Sequence, residues 1–243
     1  MAKPIRIAMW SGPRNISTAM MRSFENRPDT VVEDEPFYAH YLVKTGVDHP
    51  CRIETIESQE NNWDKVSQRL VDEIPDDKTV WYQKHMAQHN VDGCDLSWTK
   101  KLVNCFLIRD PKEVILSFSK KFELSSSEQL GFTQQLYLFE ELKNEKGQIP
   151  IVIDSKDILI NPRRTLSIMC EKIGIPFMEE MLYWPSGPRK SDGVWAKHWY
   201  QNVEASTGFS PFSEKQIQVS NKYSDILNEC MDAYNFLNQY SIK

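Results

Sequence analysis

The sequence predicts an α/β protein in which a mainly parallel central sheet lies between two layers of helices. Two observations support this prediction. Short apolar runs of strand length recur along the chain, and segments with the helical spacing of apolar residues lie between them. Strands that alternate with helices are typical of a parallel sheet. The chain has 243 residues, 40% of them hydrophobic, with no linker or repeat, so we expect a single domain over residues 1–243.

Runs rich in apolar and β-branched residues are the expected strands. They cover residues 5–10, 30–37, 79–83, 101–108 and 149–153. Apolar residues at intervals of three and four predict the helices between and after them. These begin at Ser17 and Pro111 and also cover residues 53–74, 125–147, 162–173 and 212–242.

The loop between the first strand and the first helix predicts an anion site. Residues 11–16 read Ser-Gly-Pro-Arg-Asn-Ile and are followed by Ser17 and Thr18. The free N–H groups and the dipole at a helix N-terminus attract a phosphate or sulfate. Arg14 adds a permanent cation with a planar fork of donors. The alternative is a tight turn in which Ser17 only caps the helix. The loop is not a Walker A sequence, because no Gly-Lys pair precedes Ser17.

Charged side chains follow the second and third strands. Glu33, Asp34 and Glu35 end the second strand, and Lys84 and His85 end the third. The carboxyl ends of parallel strands line one crevice, so we expect some of these groups to face the anion loop. A solvated acidic turn is the alternative for the three acids. An imidazole that titrates near neutral pH is suited to act as a general base.

A second anion-binding signal follows the fourth strand. Arg109 lies at the end of that strand, and Asp110 and Pro111 have the residue types of an N-cap and a first helical position. Ser117 follows Arg109 by eight residues. A capped helix would explain Asp110 and Pro111 without any function, but it would not explain the anion loop in the same chain.

Three ordered segments resemble the sulfotransferases. Residues 13–18 resemble their 5′-phosphosulfate loop, and Arg109 with Ser117 resembles the pair that holds the 3′-phosphate of their nucleotide. Arg189 and Lys190 resemble the basic pair of their C-terminal loop, which closes over the same phosphate. The chain is therefore similar to bacterial sulfotransferases of the P-loop superfamily, which implies a three-layer P-loop NTPase-like fold. The residues implied in binding the 5′ end are Pro13, Arg14, Asn15, Ile16, Ser17 and Thr18.

The resemblance implies 3′-phosphoadenosine-5′-phosphosulfate (PAPS) as donor, adenosine 3′,5′-bisphosphate (PAP) as product, and a hydroxyl or amine group as acceptor. Arg14, with Lys84, would stabilise charge on the bridging oxygen. The base is either His85 or Glu35. In the commoner family pattern one residue separates the Lys from the His, whereas here Lys84 and His85 are adjacent. Ser155 stands where the family has a Tyr near the adenine, so another aromatic residue is expected there.

Two other functions are compatible with an anion loop. One is a P-loop phosphotransferase that uses Mg-ATP, which would need the missing loop Lys and a carboxylate for the metal ion. The other is a non-catalytic nucleotide-binding domain. The sulfotransferase scheme requires no metal ion, because no γ-phosphate has to be held.

Composition narrows the partners and the location. The formal net charge is −5 without a basic tract, which disfavours nucleic acid as a partner. No apolar run approaches the roughly 18 residues of a membrane span. The five cysteines are scattered without a C-x-x-C pair, which favours reduced thiols in the cytoplasm. Aromatic residues around 37–41 and 184–200 favour a small-molecule acceptor between apolar walls, and a homodimer is left open.

Overall fold

The computed structural model describes residues 4–146, 149–214 and 216–243. Its centre is a five-stranded sheet with the order β2-β3-β1-β4-β5, in which all neighbouring strands are parallel. The strands are β1 (Ile5–Ser11), β2 (Thr30–Asp34), β3 (Val80–Met86), β4 (Val103–Ile108) and β5 (Ile151–Asp154). The predicted α/β fold with a parallel central sheet is confirmed.

Helices follow each strand and cover both faces of the sheet. They are α1 (Ser17–Glu25), α2 (Tyr38–Thr45), α3 (Arg52–Ser58), α4 (Trp63–Leu70), α5 (Pro111–Phe118), α6 (Phe132–Lys146), α7 (Ser155–Ile160), α8 (Pro162–Ile173), α9 (Ala196–Trp199), α10 (Gln201–Glu204) and α11 (Ser224–Asn238). Asp110 accepts a hydrogen bond from the N–H of Lys112 and caps α5, and Pro111 is its first residue, as the sequence predicts.

The hydrophobic core has one half on each face of the sheet. Met20 and Phe24 of α1 and Leu166 of α8 pack on the face that carries Tyr82. The other face packs against α4, α6 and α11, and Trp81 belongs to it. Successive residues of a strand point to opposite faces, so β3 sends alternate side chains into different halves of the protein. Because of this alternation, Lys84 and His85 near the end of β3 lie on opposite faces of the sheet.

Three predicted helices differ from those observed. Residues 53–74 form two helices, α3 and α4, separated at the extended residue Gln59. Among the described residues of the predicted last helix, only the 15 from Ser224 to Asn238 are α-helical, and a 3₁₀ turn over Asn221–Tyr223 precedes them. The predicted helix over residues 125–147 is a short 3₁₀ turn followed by α6, with left-handed Gly131 between them. The predicted end of that helix at Gly147 lies outside the described residues.

Candidate active site

A cavity of about 760 Å³ opens at the carboxyl edge of the sheet. The loop after β1, Glu35 after β2, Lys84 in β3 and Arg109 after β4 all line it. The chain runs outward from β1 to β2, returns to β3, and then crosses to β4 on the other side of β1. Ligands of open α/β sheets bind at such a reversal of strand order. The fold therefore places polar residues that are far apart in sequence around one space.

The loop after β1 is held in a conformation that leaves the start of α1 open. A side chain at Gly12 would collide with the carbonyl oxygen of Leu130. Arg14 and Ile16 have φ angles of 62° and 45°, in the left-handed region. Ile16 is the N-cap residue of α1, and no side chain caps this helix. The Ser17 cap offered as an alternative by the sequence is therefore not formed, and the N-terminal N–H groups remain suited to an anion.

The other residues of this loop also reach the cavity. Pro13, Asn15, Ser17 and Thr18 line it together with Arg14 and Ile16. The side-chain amide of Asn15 donates a hydrogen bond to the carbonyl oxygen of Leu107 at 2.5 Å and so fixes the loop to the end of β4. Asn15 thus holds the loop in place, while its neighbours face the open space.

The structure brings Arg14, Arg109 and Ser117 together. Nε of Arg14 donates to Oγ of Ser117 at 2.9 Å, and Nη1 of Arg109 donates to the carbonyl oxygen of Arg14 at 2.6 Å. Arg109 also pairs with Glu113, but no carboxylate pairs with Arg14 within the described ranges. Burial and the charge of Arg109 lower the pKa of Arg14. Two cations this close to each other are stabilised by an anion between them.

Beside this cluster, four buried polar groups form a network at the ends of β2 and β3. Nζ of Lys84 donates to Oδ1 of Asp34 at 2.8 Å, to Oε1 of Glu35 at 2.5 Å and to the hydroxyl oxygen of Tyr200 at 2.7 Å. All four residues are more than 90% buried. The sequence indicated Tyr200 only as the last residue of the aromatic segment 184–200, and it could not indicate this contact with Lys84, which lies 116 residues earlier in the chain.

The charges of this network are strongly coupled. Burial alone would lower the pKa of Lys84, but the carboxylates of Asp34 and Glu35 raise it well above its usual value. Burial raises the pKa of Glu35, and the negative charge of Asp34 adds to this, while Lys84 opposes it. A carboxyl group with a raised pKa at the wall of a cavity is suited to accept a proton.

The three acids after β2 have different fates. Glu33 forms an exposed ion pair with Arg69, at 2.7 Å between Oε1 and Nη2. Asp34 is buried against Lys84, and only Glu35 lines the cavity. Glu33 therefore fits the alternative of a solvated acidic residue, and Glu35 fits that of a carboxylate that faces the crevice.

His85 does not reach the cavity. It is buried on the opposite face of the sheet, where its ring stacks on Trp10 with 4.3 Å between centroids. Burial, and then the nearby charge of Lys84, lower its pKa to about 3, so it is neutral at physiological pH. The expectation that Lys84 and His85 both face the crevice needs correction for a simple reason. Adjacent residues of a strand point to opposite faces, and Lys84 takes the side of the cavity.

Arg189 and Lys190 also lie away from the cavity, contrary to the expectation from the resemblance. Nη2 of Arg189 donates to the carbonyl oxygen of Pro185, and its Nε lies 3.7 Å from Oε2 of Glu25. Its backbone N–H donates to Asp192. The buried guanidinium of Arg22 in turn binds both carboxylate oxygens of Asp192, at 2.6 and 2.7 Å. Contacts with α1 therefore fix this loop outside the cavity.

Aromatic rings form the wall of the cavity near Glu35. The rings of Tyr38 and Tyr41 each lie 4.8 Å from the ring of His89, which is buried. Nε2 of His89 is 3.9 Å from Oε2 of Glu35. Trp195 and Trp199, from the predicted aromatic segment, line the same end. His89 ends the short 3₁₀ turn that follows β3, so its position just beyond a strand end was the signal that could have marked it.

The end of the cavity near Arg109 has a different composition. Leu159, Phe209 and Phe212 line it, and the backbone N–H of Phe212 donates to the carbonyl oxygen of Leu159 at 3.2 Å. Ser155 lies in an adjoining cavity of about 270 Å³ that also contains Phe212. Phe212 and Tyr234 are thus the aromatic residues that share this adjoining cavity with Ser155, at the position where the resemblance lacks its Tyr.

Within the described part of the chain, no helix combines the length and apolar character needed to cross a membrane.

Comparisons with known proteins add a family. A family model described as a sulfotransferase domain matches residues 5–240. Two curated proteins of Arabidopsis thaliana are similar to this chain. Branched-chain-amino-acid aminotransferase-like protein 1 is 35% identical over 99% of the chain, and branched-chain-amino-acid aminotransferase-like protein 2 is 34% identical over 95% of it. These matches cover 43% and 41% of the two plant proteins, so the chain spans about two fifths of their length.

Solved structures with the same fold include two sulfotransferase domains. One comes from the olefin synthase of Synechococcus PCC 7002, with a TM-score of 0.57, 16% identity, and coverage of 100% of this chain and 98% of that one. The other comes from the curacin biosynthetic pathway, with a TM-score of 0.57, 14% identity, and full coverage of both chains. At these identities the likeness shows the fold alone.

Proposed function

Because this chain belongs to the sulfotransferase domain family, we propose that it transfers a sulfonate group from PAPS to a hydroxyl or amine group of a small-molecule acceptor and releases PAP. The observation that carries this proposal is the meeting of Arg14, Arg109 and Ser117 at a cavity that also reaches Glu35. Positive groups for the donor and a carboxylate for the acceptor share one space. The reaction in this form requires no metal ion.

The donor residues fit a nucleotide with anionic groups at both ends. The uncapped N-terminus of α1, Arg14 and the hydroxyl groups of Ser17 and Thr18 would hold the 5′ end. Arg109 and Ser117 would hold the 3′-phosphate, and Phe209 or Phe212 offers an aromatic face for the base. Arg14 has a lowered pKa and no carboxylate partner among the described residues, so an anion there satisfies a charge that the protein leaves open.

The acceptor would lie at the aromatic end of the cavity, near Glu35. Bound PAPS supplies an activated sulfonyl group, with the adenosine bisphosphate as leaving group. The carboxylate of Glu35 would take the proton of the acceptor hydroxyl as its oxygen bonds to sulfur. We propose Glu35 as the base in preference to His85, since His85 is buried on the other face of the sheet.

Lys84 and Arg14 would provide the positive charge of the site. Lys84 stabilises the ionised form of Glu35 through its 2.5 Å contact, so that a buried carboxyl group can still be a base. Arg14, next to the N-terminus of α1, is suited to stabilise the charge that grows on the bridging oxygen. Tyr38, Tyr41 and Trp199 would exclude water from the reacting groups.

A direct test combines binding and transfer. PAP binding is measured by calorimetry, and PAPS with radioactive sulfur in its sulfonyl group is incubated with a broad panel of alcohols, phenols and amines. We expect PAP to bind and label to move to at least one acceptor class. Tight PAP binding without transfer to any acceptor would favour a non-catalytic nucleotide-binding domain. Turnover of Mg-ATP without PAP binding would favour a phosphotransferase.

A further inference from the structure

Tyr200 occupies a central position in the buried network beside the cavity. Its hydroxyl group accepts a hydrogen bond from Nζ of Lys84 at 2.7 Å and another from Nε1 of Trp195 at 3.2 Å. It donates to the carboxylate of Asp34, whose two oxygens lie 2.9 and 2.8 Å away. The same hydroxyl oxygen is 3.5 Å from Oε1 of Glu35. One hydroxyl group thus touches every charged member of the network.

Tyr200 comes from a part of the chain that is remote from the strand ends. It lies between α9 and α10, in the segment whose Trp195 and Trp199 form part of the aromatic wall. The backbone N–H of Gly193, in the preceding loop, also donates to Oδ2 of Asp34 at 3.2 Å. Asp34 does not line the cavity and so has no direct contact with a ligand there. Tyr200 does line the cavity, next to Lys84 and Glu35, whereas Asp34 acts on it only through the groups that it contacts.

We propose that Tyr200 is a positioning residue for the transfer reaction. Its hydroxyl group donates a hydrogen bond to Asp34, and the ammonium group of Lys84 therefore remains shared with Glu35. The inference rests on the proposed role of Glu35 as base. Without the hydroxyl group, Asp34 loses a donor and Lys84 loses an acceptor. The ammonium group of Lys84 then pairs more with Asp34 and less with Glu35, so Glu35 becomes easier to protonate.

The groups around Glu35 allow the direction of this effect to be worked out. Lys84 faces it from β3, Asp34 from β2, Tyr200 from the segment between α9 and α10, His89 from the turn after β3, and Tyr38 from α2. Burial lowers the pKa of His89 well below its usual value and raises that of Tyr38, so both are neutral near pH 7. Asp34 and Lys84 are then the two charges that set the ionisation of Glu35.

Two substitutions should move the pKa of Glu35 in opposite directions. Tyr200→Phe removes the hydroxyl group and should raise this pKa by about one pH unit, a tenfold change in the ionisation constant. Asp34→Asn removes a negative charge and the competitor for Lys84, so it should lower the pKa. A general loosening of the site would not produce opposite signs, and this separates positioning from a purely structural role.

The measurement does not depend on an acceptor. The protein is labelled with carbon-13 at the side-chain carboxyl groups of Glu, and the Glu35 signal, assigned by its loss in Glu35→Gln, is followed by NMR from acid to alkaline pH. Tyr240→Phe is the matched control, because the hydroxyl of Tyr240 also accepts a hydrogen bond from a lysine, Lys143, but at 2.6 Å and outside the cavity. We expect the Glu35 titration of this control to coincide with that of the unaltered protein.

The outcomes are distinct from those of the function test. An unchanged or lowered Glu35 pKa in folded Tyr200→Phe would overturn the inference, whether or not PAP binds. Raised pKa in Tyr200→Phe and lowered pKa in Asp34→Asn, with PAP affinity preserved, would support it. With an acceptor from the panel, the acidic limb of the kcat profile of Tyr200→Phe should also move to higher pH, because the base must be ionised. A uniform fall of kcat at all pH values would contradict the proposal.

Discussion

Two basic clusters in this protein were predicted to bind the donor nucleotide, and their positions in the structure differ. The strand-end cluster, formed by Arg14, Arg109 and Ser117, meets at the cavity. The loop of residues 185–193, here called the 189 loop, keeps Arg189 near Glu25 and the carbonyl oxygen of Pro185. The first cluster leaves the charge of Arg14 open to a ligand, whereas the charge of Arg189 in the second is satisfied within the protein.

The difference comes from what positions each cluster. Arg14 and Arg109 follow adjacent parallel strands, β1 and β4, whose register fixes the distance between their ends. The 189 loop has no strand to position it, and the buried pair of Arg22 and Asp192 sets its place instead. The position of a motif at a strand end is therefore fixed by the sheet. The position of a motif in a long loop depends on nearby partners that the motif does not contain.

The largest expected effect concerns Glu35, which lies at the same sheet edge as the strand-end cluster. With any acceptor that the unaltered protein sulfonates, Glu35→Gln should lower kcat by about 100- to 10,000-fold, the range for loss of a general base. PAP affinity measured by calorimetry should stay the same. His85→Phe keeps the stacking on Trp10 and should leave kcat within a few-fold. The reverse result, with His85→Phe slow and Glu35→Gln fast, would show that position at the sheet edge does not identify the base.

The next effect concerns stability, and it tests what holds the 189 loop. The side chains of Arg22 and Asp192 are 1% and 5% exposed, so Asp192→Ala leaves a buried guanidinium without its main partner. We expect a loss of about 3–5 kcal/mol in the free energy of unfolding, measured with urea. Glu60→Gln, in an exposed pair with Lys65, is the control and should change stability little. Equal small effects would mean that this pair does not hold the loop.

These comparisons also indicate how much the sequence could predict. Strand composition predicted the first residue of each of the five strands to within two residues, because short apolar runs between helices are typical of buried strands. The spacing of Arg109 and Ser117 placed both at the cavity. The choice between Glu35 and His85 as the base was open. The pleat sends the adjacent residues Lys84 and His85 to opposite faces, but the sequence does not say which of them faces the ligand. In the structure, His85 packs against Trp10 and Trp98 in the core of the other face.

Long-range partners could not be predicted at all. Tyr200 contacts Asp34 and Lys84 across 166 and 116 residues, and Asp192 contacts Arg22 across 170. Neither Tyr200 nor Asp192 belongs to a local pattern that names its partner. Their contacts follow from how the segment between α8 and α11 folds back over the sheet edge, and only the tertiary structure contains that information.

A smaller effect separates the two members of the strand-end cluster. Arg14→Ala should weaken the binding of both PAP and adenosine 5′-monophosphate by about 10- to 100-fold, since a hydrogen bond to a charged group contributes about 1.5–3 kcal/mol. Arg109→Ala should weaken PAP by a similar factor but adenosine 5′-monophosphate far less, because the latter has no 3′-phosphate. Calorimetry with both nucleotides checks this. Equal losses in Arg109→Ala would mean that Arg109 acts through its hydrogen bond to the Arg14 carbonyl oxygen and not on the phosphate.

The smallest expected effect is at Arg189, and it decides whether the comparison between the two clusters holds. Arg189→Ala makes the same chemical change as Arg14→Ala, but at a guanidinium that Glu25 and Pro185 already satisfy. We expect PAP affinity to change by no more than about twofold, as for substitutions away from a binding site. A loss as large as that in Arg109→Ala would mean that ligand binding draws Arg189 away from Glu25 and into the cavity. Glu25→Gln would then tighten PAP binding, since Arg189 would be released without the cost of breaking that ion pair.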